Sequence, residues 1–258
     1  MSLDGFNHNP IWDEHEWEAH LNEIEKRSEQ LRRFITSDPK GNTPRWVTLL
    51  QESIDELDAV EAFIEEELLL DEAYFPDDED DWEDEDDDDI DDDFFFTDDF
   101  PFMDEDDDDD DDFDYGEDWK ELSEDFTLSD YGSIENMDLY REALGLAVDV
   151  LKWGETIPPN LQHHLVHEFV SSILKISAKL AGGYSFGFEQ DVMGGNIAYT
   201  KKALYSSNNA LKILQSIKKE PFLTPDIYAA FHGRLFEVRN DIGVYIQELR
   251  DRFHFGIE

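Results

Sequence analysis

The sequence predicts an all-α protein: an N-terminal helical hairpin, an acidic low-complexity linker and a C-terminal antiparallel four-helix bundle. Three observations predict it. Apolar residues recur every three or four positions over two separate stretches, Pro and Gly fall between the repeats, and the residues joining the stretches are almost all carboxylate. Charge draws the boundaries. The 258 residues carry 67 Asp plus Glu against 20 Lys plus Arg, a formal net charge of −47. Residues 1–72 hold 19 acidic and 6 basic side chains, residues 73–130 hold 33 and one (Lys120), and residues 131–258 hold 15 and 13. The predicted units are therefore a hairpin over 1–72, an acidic segment over 73–133 and a bundle over 134–258.

The hairpin begins where Trp17, Leu21, Ile24, Ser28, Leu31 and Ile35 recur at alternating intervals of four and three, one face of a helix. Ser37 to Asn42, with Pro39 and Gly41, breaks it. Thr43-Pro44 then reads as a cap with proline in the first turn. A second helix is expected through Trp46, Leu50, Leu57, Val60, Ile64 and Leu68 to about Asp71. Two helices bury little by themselves, so the hairpin should dock on the C-terminal region, another copy or a partner.

The middle segment is nearly all carboxylate from Asp77 to Asp93 and unbroken from Asp104 to Asp112. Such density disfavours compaction and predicts disorder in isolation. Yet Phe75, Trp82, Ile90, Phe94, Phe95, Phe96, Phe100, Phe102, Met103, Phe113, Tyr115 and Trp119 are threaded through it. A spacer that only dissolves the chain has no need of rings, which raise the risk of aggregation. Carboxylates interleaved with aromatics suit a basic protein surface, gripped by charge and anchored by rings. The partner-binding residues expected here are Trp82, Phe94, Phe95, Phe96, Phe100, Phe102, Phe113 and Trp119.

Four helices follow. The first is expected over Met137–Trp153, closed by Gly154 and the Pro158-Pro159 pair. The second spans Asn160–Ala181, ended by Gly182-Gly183 in left-handed caps. Asn196–Lys219 makes the third, stopped by Pro221, and Thr224-Pro225 opens the fourth. Short connections favour an antiparallel bundle.

The stretch Ile176-Ser177-Ala178-Lys179-Leu180-Ala181-Gly182-Gly183-Tyr184 resembles the end of helix two in the four-helix-bundle proteins encoded in intervening sequences of bacterial 23S ribosomal RNA genes. Ala203-Leu204, Ser206, Lys218 and Phe222-Leu223-Thr224 fall in the register of that family's third helix and following turn. The match covers about residues 140–252. It departs at Ser177, where the family has proline, at Gly182, where it is acidic, and in a longer loop over Phe188–Gly195. The resemblance implies a ring-forming bacterial binding protein. It also implies kinship with the accessory variability protein of diversity-generating retroelements, which binds nucleic acid and a reverse transcriptase through basic surface.

Chemistry is sparse. With no cysteine there is no disulfide, thiolate zinc site or Cys nucleophile. His163 and His167 have chelating i,i+4 spacing, but no Glu-x-x-His recurs on the other helices as a two-metal bundle requires. Arg250 and His254 lie too close in sequence for the Arg and His pair of helical-bundle ribonucleases. The Asp runs lack the glycine and terminal Glu of a calcium loop. No cofactor or metal is expected, and no enzymatic activity. A sequence pI near 4.1 argues against nonspecific binding to nucleic acid or anionic lipid; no apolar run is long enough to cross a membrane, and Met1-Ser2-Leu3-Asp4 opens no signal peptide. The expected protein is a cytoplasmic adaptor or chaperone-like molecule. It binds a basic protein, or mimics nucleic acid, through its acidic segment, and its bundle forms a homo-oligomer through Trp153, Tyr184, Phe186 and Phe188. The alternative is a nucleic-acid or reverse-transcriptase accessory bundle, contacting polyanion through Lys175, Lys179, Lys201, Lys202 and Lys212 and autoinhibited by the acidic segment.

Overall fold

The computed structural model describes residues 11–35, 43–72 and 132–256, with side chains 28–35 and 70–72 excepted. The aromatic and acidic residues of 73–131, including Trp82, Phe94, Phe95, Phe96, Phe100, Phe102, Phe113 and Trp119, lie outside the described residues. The chain is all-α: seven helices and no strand occur among the described residues. They are α1 (Glu14–Ile35), α2 (Arg45–Glu52), α3 (Glu56–Glu72), α4 (Asp138–Thr156), α5 (His164–Ser185), α6 (Met193–Ser216) and α7 (Pro225–Phe255). A 3-10 turn, Ile134–Asn136, precedes α4.

Consecutive helices α4 to α7 are neighbours, and α4 closes the ring on α7. Their inward faces, among them Tyr140, Leu146, Phe169, Ile173, Leu214, Leu235 and Ile242, form one core. The expected start of α7 is observed: Thr224 Oγ1 accepts from the Ile227 amide at 3.3 Å, with Pro225 in the first turn. Gly256, left-handed at φ 58°, ends it by donating to Arg252 O.

The hairpin docks on the bundle. Trp46, Leu49, Val60, Phe63 and Ile64 belong to the bundle's own core. Gly154 admits Trp46: a Cβ there would meet the indole at 3.3 Å. Glycine here is therefore a seat for α2, inside a helix that continues to Thr156. The single helix expected from Trp46 to Asp71 is two helices. Ser53 is extended (φ −93°, ψ 159°), and Asp55 Oδ1 caps the restart by accepting from the Leu57 and Asp58 amides at 2.8 and 3.1 Å. The break turns Trp46 and Leu49 inward together with Val60 and Ile64, and it leaves Ile54 fully outside.

The expected stop at Gly182-Gly183 is also corrected. Helix α5 begins at His164, after a turn over Pro158–Leu161, and continues through both glycines to Ser185. A Cβ on Gly182 would lie 2.9 Å from the Tyr199 ring and 3.1 Å from Leu68, and one on Gly183 would lie 3.1 Å from Thr200 Oγ1. The pair lets α6 and α3 approach closely; it does not end a helix.

Candidate functional site

Two surfaces of the folded body carry chemistry: the face where α1 lies on α6, and an open groove between α6 and α7. On the first, α1 brings a line of carboxylates to a line of cations. Arg250 donates to both oxygens of Glu14, at 2.8 Å from Nε and 2.7 Å from Nη2. Lys201 bonds Glu18 and lies 3.7 Å from Glu14 Oε1. Lys202 donates to Asn22 Oδ1 at 2.9 Å and to Glu25 Oε2 at 2.5 Å. Between the charges sit Leu21 and Ile24, buried against Ala198 and Tyr199. Trp17 meets the Phe186 ring edge-on at 5.1 Å, and Phe186 leans on Tyr199 at 5.3 Å.

Electrostatics follow from these neighbours. The hydrogen bond from Arg250 holds the Glu14 carboxyl below its ordinary range, against the upward pull of burial. For Glu25 burial pulls upward most strongly, but the charge and hydrogen bond of Lys202, helped by Lys179 and Lys175, outweigh it and leave the group low.

Of the five lysines expected to contact polyanion, four are committed or shielded. Lys179 is only 3% exposed; its Nζ lies 3.7 Å from Glu67 Oε2 and 5.2 Å from the centre of the Tyr199 ring. Lys179 is therefore no surface cation, because α3 covers it and supplies a buried carboxylate. Lys201 and Lys202 are engaged by α1. Lys175 is half-buried beside Glu25. Only Lys212 stands exposed, on the groove.

That groove has a volume of about 550 Å³ and is lined by Tyr205, Asn208, Asn209, Lys212, Tyr228, His232 and Phe236 together with Leu211 and Gln215. His232 stacks on Phe236 at 6.2 Å, and Lys218 lies over Tyr228 at 4.4 Å. Tyr205 and Phe236 are exposed, whereas the rings expected to drive self-association are not. Trp153 packs on Phe169 and Phe231, Tyr184 on Phe188, and Phe186 receives α1. Sequence reasoning found the lysines of both surfaces but missed the carboxylates of α1 that cover the first and the rings that line the second. Their signals were present as the spacing Tyr228, His232, Phe236 and the glutamates flanking Trp17 and Leu21.

The histidines at the start of α5 neighbour one another, the His163 and His164 rings lying 5.9 Å apart, but His163 and His167 also pack on aromatic rings of other elements. His167 faces Trp46 at 5.9 Å and His163 faces Phe222 at 5.7 Å. Burial first, and then His163 and His164, lower the affinity of His167 for a proton. Among the described residues no group of three or more His, Asp or Glu side chains is placed to hold a metal ion, and no helix is long and apolar enough to cross a membrane. No family model matches the chain, and no curated protein or solved structure matches it.

Proposed function

We propose that the chain is a non-enzymatic acidic adaptor of chaperone type, which holds a basic protein partner through residues 73–133 while its helical body serves as scaffold and oligomerisation module in a bacterial cytoplasm. One observation carries the reading: 33 carboxylates against a single lysine in residues 73–130, interleaved with rings able to anchor what the charge attracts. The folded body supports it indirectly. Its basic stripe on α5 and α6 is already matched by carboxylates of α1 and α3, which leaves little for an outside polyanion. The exposed rings beside the α6–α7 groove, Tyr205 and Phe236, offer a surface for self-association.

The test is capture of protein from nuclease-treated bacterial lysate, with the bound proteins identified. Deleting residues 73–130 should abolish recovery of basic proteins. Changing Phe94, Phe95, Phe96, Phe100 and Phe102 to Ser, which leaves the charge untouched, should weaken capture several-fold at physiological salt. Equal capture by the Phe-to-Ser variant would mean that charge alone binds. A second reading rests on exposed Lys212 at the ring-lined groove: the bundle is a nucleic-acid or reverse-transcriptase accessory module. Nuclease-sensitive capture that grows on deletion of residues 73–130 would favour it.

A further inference from the structure

We infer that the α6 face beneath α1 is an interaction surface for an acidic, indole-bearing amphipathic helix supplied in trans, with α1 as its occupant in the same chain. The inference goes beyond the adaptor reading and does not use residues 73–133.

The charges come first. Lys201, Lys202 and Arg250 converge on Glu14, Glu18 and Glu25. These glutamates fall at i, i+4 and i+11, one stripe along a helix. A ligand that presents carboxylates at that spacing meets three cations at once, and a disordered acidic chain does not hold that register.

The apolar part of the face is equally particular. Phe186 and Tyr199 form a socket that takes the edge of Trp17. Gly194 forms its floor, where a Cβ would come within 2.6 Å of Trp12 O and 2.7 Å of Trp17 Cδ1. The surface is thus cut for a helix backbone and an indole at close approach.

The present occupant is separable. Leu21 and Ile24 bury themselves in a small cluster with Ala198 and Tyr199, apart from the main core that α2 and α3 share with the bundle. Withdrawal of α1 therefore leaves the main core closed. The remainder of its hold is the edge of Trp17 on Phe186 and a set of partly exposed ion pairs, and salt weakens the latter. A helix of the same chemistry from another chain can take its place, and the α1 of a second copy is one such helix.

Anisotropy titrations with a fluorescein-labelled peptide of residues 11–35 test this on the full-length chain. In the variant Glu14→Lys, Glu18→Lys, Glu25→Lys, like charge drives α1 off the face. The peptide should bind that variant at least tenfold more tightly than the wild type, and adding the neutral substitutions Lys201→Gln and Lys202→Gln should weaken binding at least tenfold. Circular dichroism and a cooperative melt check that the variant folds. A second variant decides the matter independently: the chain has no native cysteine, so Asn22→Cys with Lys202→Cys, two positions whose side chains meet across the interface, can be joined by a short bismaleimide. The joined form should bind no peptide, whereas the unjoined form, which lacks the same lysine and differs only in being free to release α1, should bind it detectably. No binding to either folded, open variant would overturn the inference. So would equal binding of a scrambled peptide of the same charge, which marks nonspecific attraction, or tighter binding of a labelled single-stranded RNA, which marks a polyanion surface.

Discussion

Gly182 lies inside α5 where the Tyr199 ring of α6 and Leu68 of α3 both press against its backbone. Helix propensity alone favours alanine there by about 0.5–1 kcal/mol. The space does not, because a methyl group would stand 2.9 Å from an aromatic carbon whose ring is itself buried. Overfilling a close-packed interior costs about 1–3 kcal/mol. Gly182→Val is therefore expected to lose about that much stability in urea unfolding followed by circular dichroism, and Gly182→Ala a smaller net amount. A midpoint that rises in both would mean that the Tyr199 ring swings aside freely. The same pair of glycines read as a helix stop in the sequence, since local preference is all that a dipeptide can express. Lys179 teaches a related lesson: its i,i+4 partner Lys175 suggested a basic stripe, and burial against Glu67 removes it from the surface.

Among the elements, α1 is held most by charge. Glu14 and Glu25 carry lowered proton affinities while docked and regain ordinary ones when α1 is free. Docking stability from such groups is fully present above the ordinary carboxylate value and is lost as the pH falls through the lowered one. The affected window lies below about pH 4.3. Lys201, Lys202 and Arg250 face them, with Lys175 and Lys179 nearby. Each partly exposed pair contributes only about 0.2–1 kcal/mol, so release is graded, not abrupt. Acid titration should accordingly shift Trp emission to the red, as Trp17 leaves Phe186, before the main unfolding transition. Trp12→Phe with Trp17→Phe should lack that early step. A wild-type titration with a single transition would mean that α1 and the core unfold together.

At the scale of the molecule, α2 and α3 are integral to the bundle. Trp46 fills the space over Gly154, near Val170, and Val60, Phe63 and Ile64 complete the same core. Each such side chain contributes about 1.5–3 kcal/mol when buried. A fragment of residues 132–256 should therefore melt at least about 5 °C below the full chain and bind a hydrophobic dye, whereas residues 43–256 should melt close to it. Equal melting of the short fragment would make the hairpin an appendage. The formal charge of −47 belongs to this scale too: its greater part lies in residues 73–130, with 33 acidic side chains against one basic, whereas residues 131–258 are nearly balanced at 15 against 13.

Helicity, the breaks at Pro158-Pro159 and Pro221, the Thr224-Pro225 cap and the segregation of charge were all determined by the sequence alone, because each depends on residues within a turn or two of one another. Tertiary structure decided the break at Ser53–Asp55, the role of the glycine pair and the fate of the lysines. Glu25 and Lys202 are 177 positions apart, and Glu14 and Arg250 are 236 apart. Periodicity reports that a helix has an apolar face and charged flanks. It carries no information about which distant helix covers that face, so the pairing that turns a basic stripe into a neutral interface exists only once the chain has folded.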